Sequence, residues 1–254
     1  MKAWRPHILA FLCGLLPILA AHLAYVLNWF AGAEPLAAEY RCFPYWDGCV
    51  SVSRAVRSGP GLALFRAMML PLAALLALTW LLTSHWLRQL NGAAGAAARR
   101  VGWTGFIGAL FLVLYVGWLG TEGPWYGWLR RYGVTVYFGL TALAQLLLVH
   151  ALWPLRKLPQ SPLPGSAVAG LLALVTLQWL GGLASVAKRL LVTDPARMDR
   201  IENSIEWGFA LALSLGFLVL GQMMRRTGYR LDGRLSPTRP GRSEPDRPQR
   251  GQRQ

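Results

Sequence analysis

Six long apolar runs, separated by short polar stretches, dominate the chain. They cover about residues 7–31, 61–86, 102–120, 133–153, 167–187 and 205–224. About 20 apolar residues in a helix are enough to cross the ~30 Å hydrocarbon core of a bilayer. Each run meets that length, and the longer ones would tilt to fit. The pattern predicts an all-α integral membrane protein, a bundle of six transmembrane helices. The first run also begins like a secretory signal peptide, with "MKAWR" ahead of the apolar stretch and small residues after it. Its apolar character continues through Tyr25, Val26, Leu27, Trp29 and Phe30, which favours a retained helix. Many tryptophans, among them Trp29, Trp80, Trp86, Trp103 and Trp207, fall near run ends, where an interfacial aromatic belt belongs.

Composition agrees. Hydrophobic residues make up 54% and charged residues 15% of the chain, against about 25% charged in an ordinary soluble domain. The net charge of +15 changes the picture only once it is located. Residues 225–254 carry nine arginines against Asp232, Glu244 and Asp246, with four prolines and almost no apolar residues. Such a segment buries too little surface to offset the entropy of ordering. The chain therefore divides into a transmembrane domain, 1–224, and a disordered basic tail, 225–254. Beside a membrane helix that tail meets an anionic lipid surface, not nucleic acid. Lys and Arg are spread over both sets of short loops, and the tail, with five arginines between 225 and 239, decides the orientation. Both termini are expected to be cytoplasmic. In a bacterium this places the protein in the inner membrane.

Between the first two runs lies "YRCFPYWDGCVSVSRAVRSGP", residues 40–60. Cys42 and Cys49 are close enough in sequence to bridge a small loop, and such a bond persists on the oxidising side of a membrane. Their spacing is wider than the C-x-x-C of a redox pair and only Cys13 remains as a further thiol, so the bridge reads as a staple. Of His7, His22, His85 and His150, the last two share a depth at inner run ends, but no other signal supports a haem between them. No metal-ligand spacing such as H-E-x-x-H and no Gly-rich phosphate loop occurs. No cofactor or metal is expected.

The remaining chemistry is charge at the membrane edge. Arg66 stands near the start of the second run and Glu206 opens the sixth. Ionisable groups in a bundle are costly, so they tend to be paired and to mark sites, although an arginine near a helix end also snorkels to the headgroups. In the expected orientation Asp47, Ser51, Ser53, Arg54, Arg57, Glu122, Arg131, Lys188, Arg189 and Glu202 share one face. Arginines with hydroxyl donors suit a phosphate headgroup.

The order of these features resembles the Frag/DRAM/Sfk superfamily of multi-span membrane proteins, in particular its GPI-anchor lipid-remodelling branch. The resemblance rests on Cys42 with Pro44, on Ser51-Val52-Ser53, on Arg66 and on Glu206-Trp207, and covers about residues 7–230. It implies a role in lipid remodelling, in lipid distribution between leaflets, or in regulating lipid-modifying partners. The branch's His-Glu-Asn element before the fourth span has only Glu122 as a counterpart here. Leu213, Ser214 and Phe217 stand where its last span holds an asparagine and a histidine. The chemistry of those groups, and the GPI substrate, are not carried over.

The expectation is a protein that binds or organises membrane phospholipid headgroups at its non-cytoplasmic face. Arg66 would contact phosphate, and Glu206 would hold Arg66 or a headgroup amine or hydroxyl. Ser51, Ser53, Arg54, Asp47 and Glu122 would line the same surface, fixed by the Cys42–Cys49 bridge. A lipid-modifying enzyme of the hydrolase or acyltransferase type would need Ser51 or Ser53 with Glu122 or Glu206, and no outer-face His–Ser pair supports one. A third reading is a scaffold with a membrane-protein partner. The small residues 181–185, "GGLAS", allow close helix contact and serve internal packing equally well.

Overall fold

The computed structural model describes residues 4–32, 41–91, 95–157 and 161–231. In chain order the helices are α1 His7–Ala31, α2 Pro44–Asp47, α3 Val52–Ala55, α4 Gly59–Asn91, α5 Gly95–Gly117, α6 Pro124–Leu152, α7 Gly165–Leu191 and α8 Pro195–Arg226. The six long ones carry the six apolar runs, and each is long and apolar enough to cross a membrane. Among the described residues there is no strand. The protein is an all-α, multi-pass bundle.

The long helices form a ring in sequence order. α1 packs on α4, α4 on α5, α5 on α6, α7 on α8, and α8 closes back on α1. The α6–α7 seam is the loosest of these neighbour contacts. Trp4 and Leu231 exchange backbone hydrogen bonds of 3.4 and 3.3 Å, so both ends of the described chain meet at one end of the ring, the terminal end. The α2–α3 segment and the α5–α6 and α7–α8 connections make up the opposite, loop end.

Helix boundaries depart from the apolar runs because caps and prolines set them. α8 starts at Pro195, well ahead of the expected 205, because Asp194 accepts from Ala196 N–H at 3.0 Å and proline suits the first helical turn. α6 starts at Pro124, not 133, for the same proline reason. At the other end, α8 continues through Arg226. Tyr229 is buried, with its hydroxyl donating to Leu82 O (3.2 Å) and meeting His85 Nδ1 (2.8 Å), while Trp86 Nε1 donates to Thr227 Oγ1 (3.0 Å). Residues 225–231, expected in the tail, are thus part of the packed bundle. The rest of that expected tail, 232–254, lies outside the described residues.

The core is packed through missing side chains as much as through present ones. Trp80 is fully buried, its ring filling the place where Gly105 of α5 lacks a Cβ and meeting Phe217 of α8 at 5.3 Å between centroids. A Cβ on Gly133 would sit 2.6 Å from the Tyr115 backbone nitrogen, so α5 and α6 touch backbone to backbone there. Trp80, Trp86 and Trp207, expected in an interfacial belt, point into the bundle and are buried.

Candidate functional site

The segment 41–58 is drawn down onto the loop end by side chains of α1 and α8. Cys42 and Cys49 are disulfide-bonded, with Cα atoms 6.5 Å apart. Between them α2 stops at Gly48, whose φ of 59° lies in the left-handed region that favours glycine. Asp47 Oδ2 accepts from Phe43 N–H (2.9 Å), and Tyr25 of α1 donates its hydroxyl to Cys42 O (2.9 Å). α8 offers Asn203, Glu206 and Trp207, which share one helical face by their spacing. Asn203 Nδ2 donates to Gly48 O (2.7 Å), Trp207 Nε1 to Val50 O (2.9 Å), and Glu206 Oε1 accepts from Ser53 N–H (3.1 Å). Buried Asn28 of α1 closes the other side. Its Nδ2 donates to Ala55 O and Ser58 O, both at 2.9 Å, and its Oδ1 accepts from Gly61 N–H at 2.7 Å.

The expected pair of Arg66 and Glu206 does not form. The Arg66 guanidinium donates to Gly117 O (3.1 Å), to Leu119 O and to Thr121 Oγ1 (3.4 Å). It ties α4 to the carbonyl end of α5, where a cation also complements the helix dipole. Glu206 serves a different loop. Arg54 reaches exposed Asp199 at 3.9 Å, a surface pair of little energetic weight. Glu202 pairs with Lys188 and accepts from Ser185 Oγ (3.0 and 2.7 Å), joining α7 to α8. Glu122 is exposed and has no hydrogen bond or ion pair among the described residues.

Ser53, Arg57 and Arg131 do converge, and Arg130 joins them. They line a cleft of about 410 Å³ beside the N-terminal turns of α6, walled on its apolar side by Pro124, Trp128 and Val134. Arg57 Nη2 donates to Ser53 Oγ at 3.5 Å, while Arg57 Nε is buried without a partner. None of these three arginines has an ion-pair partner among the described residues. Burial, and then the adjacent Arg130 cation, lower the Arg57 pKa from the ordinary arginine value. The cleft is a concentration of positive charge with donors, and the carboxylate that acts on it, Glu206, is bonded to Ser53 N–H and lies beyond ion-pair distance of its arginines. Arg130 carries no sequence signal beyond the Arg130-Arg131 doublet near the start of a helix.

Neither serine is set up as a nucleophile. Ser51 Oγ caps α3 by accepting from Arg54 N–H (3.2 Å) and lies 3.4 Å from Ser53 Oγ. No histidine or carboxylate bonds either hydroxyl among the described residues. His22, beneath this segment, bonds Ile18 O through Nδ1 (2.7 Å). In the neutral ring that leaves Nε2 to accept from the Tyr45 hydroxyl at 3.0 Å. With Tyr45, Val52 and Trp207 it lines a mostly apolar pocket of about 40 Å³. No known protein family, curated protein or solved structure matches the chain.

Proposed function

We propose that the protein binds the phosphate of a membrane lipid headgroup in the Ser53–Arg57–Arg130–Arg131 cleft, at its non-cytoplasmic face, and acts there in organising or remodelling lipid. One observation supports this most: three guanidiniums without ion-pair partners share one cleft with a serine hydroxyl. Guanidinium forks match the acceptor oxygens of phosphate in number and geometry. Trp128 and Val134 give the cleft an apolar side on which the glycerol and upper chains of a lipid can rest. In this reading Arg66 and Glu206 do not touch ligand; they position the segments that shape the cleft. The tail arginines meet anionic lipid on the cytoplasmic side, and in a bacterium the membrane is the inner one.

Native mass spectrometry of the detergent-extracted protein with dioleoyl phosphatidic acid tests the reading. The Arg57→Ala/Arg130→Ala/Arg131→Ala variant should retain at least about tenfold less lipid than wild type, a loss near 1.4 kcal/mol. Equal retention by both proteins would sink it. Dioleoylglycerol, which lacks the phosphate, should bind neither.

A further inference from the structure

One face of α6 links the cleft to a second opening deeper in the bundle. Gly127, Arg131 and Val134 line the cleft, and steps of three or four residues carry the same face of α6 through Phe138 to Ala142 and Gln145. In the terminal half of the bundle α7 is packed inward, with Val168, Leu171 and Val175 buried. In the loop half α7 parts from α6, and Leu183, Val186 and Leu190 are exposed. Between them opens a groove of about 360 Å³, walled by Gly139 and Ala142 of α6, Gly182 and Val186 of α7, and Phe209 of α8. Gly139 and Gly182 face open space.

Gln178 also lines this groove and is itself fully buried. The direction of its hydrogen bonds fixes its amide. Gln145 Nε2 donates to Leu213 O (2.9 Å), so Gln145 Oε1 must accept, and it accepts from Gln178 Nε2 (2.9 Å). Gln178 Oε1 is left buried with no partner. An orphaned acceptor bears its full desolvation penalty, and hydrocarbon has no water to relieve it. A plain alkyl chain in the groove would leave that penalty in place. A hydroxyl on the chain would remove it.

We propose that the α6–α7 groove holds an acyl chain of the lipid whose phosphate occupies the arginine cleft, and that Gln178 Oε1 accepts a hydrogen bond from a hydroxyl on that chain. The proposal rests on the headgroup reading and adds a chain specificity to it. Arg131 and Gln145 are about 21 Å apart along α6 at 1.5 Å per residue, which sets the hydroxyl near mid-chain.

Three phosphatidic acids separate the parts in native mass spectrometry: one with 12-hydroxyoctadecenoyl chains, one with octadecenoyl chains, and one with hexanoyl chains. Wild type should retain the hydroxylated lipid over its plain counterpart by about fivefold or more, the scale of one net hydrogen bond. Gln178→Leu should abolish that preference and keep the plain lipid. Gly182→Leu, whose side chain enters open space rather than packed core, should lose both long-chain lipids and keep the hexanoyl one. Equal retention of the two long-chain lipids by wild type overturns the hydroxyl contact. Unchanged long-chain binding by Gly182→Leu overturns the groove, as does a dimer that this variant dissociates, since a second copy would then fill it. If wild type binds none of the three, the headgroup reading itself fails and this proposal falls with it.

Discussion

Single polar side chains fix the loop end, and Asn28 shows how much one can hold. Its amide satisfies two carbonyls and one N–H from the segment that joins α3 to α4. Asn28→Leu keeps the size but orphans these groups, at about 1–3 kcal/mol for each that stays buried. The variant should melt several degrees lower in detergent, and limited trypsin should cleave first at Arg54 or Arg57; an unchanged melt and digest would mean that water replaces the amide. The rule that flagged Arg66 and Glu206, a polar group at the edge of an apolar run, was right that both are bonded to protein. It did not give those protein partners. Partners are set by which loop crosses which helix end, and no spacing in the chain records that. Asn28 carries the same kind of signal, one amide in an apolar run, and it is less visible than the charges.

At the level of elements, crossing helices were legible and their ends were not. Hydropathy counts residues that tolerate lipid, whereas α6 and α8 begin where Pro124 and Asp194-Pro195 permit, well outside the apolar runs. Facing residues on different helices were equally invisible. Trp80 looked like an interfacial residue, but its ring occupies the hole left by Gly105 on the neighbouring helix. Gly105→Val should therefore expel that ring and destabilise the bundle by about 1–3 kcal/mol or more, the usual cost of overpacking. Gly139→Val adds the same atoms where nothing lies within 4 Å and should leave thermal stability unchanged. If both variants melt alike, helix propensity and not packing explains the effect. The α6–α7 groove belongs to this scale as well. The small residues at 181–185 allow close contact with α8 at Gly181, where a Cβ would lie 3.7 Å from Ile205, while Gly182 borders open space.

For the whole molecule, the count of six crossings and the pairing of Trp4 with Leu231 place both described ends on one side of the bundle. We propose that the terminal end faces the cytoplasm, on two independent features. Arg225, Arg226 and Arg230 stand at the terminal end, and cytoplasmic segments are the ones that retain such charge. The Cys42–Cys49 bond lies at the loop end, and a disulfide persists in an oxidising compartment. Cysteine labelling checks the orientation without disturbing either feature, because Cys13 is buried and the other two cysteines are bonded. A membrane-impermeant maleimide applied to intact cells, after any outer membrane has been permeabilised, should label Glu122→Cys at the loop end. It should leave Ser236→Cys unlabelled until the membrane that holds the bundle is opened. The reverse pattern would put the arginine cleft in the cytoplasmic leaflet. The bridge would then face a reducing compartment that works against it, and the basic tail would project to the side that the charge rule forbids. Both features would have to mislead together for that result, which makes this labelling the strictest single test of the arrangement.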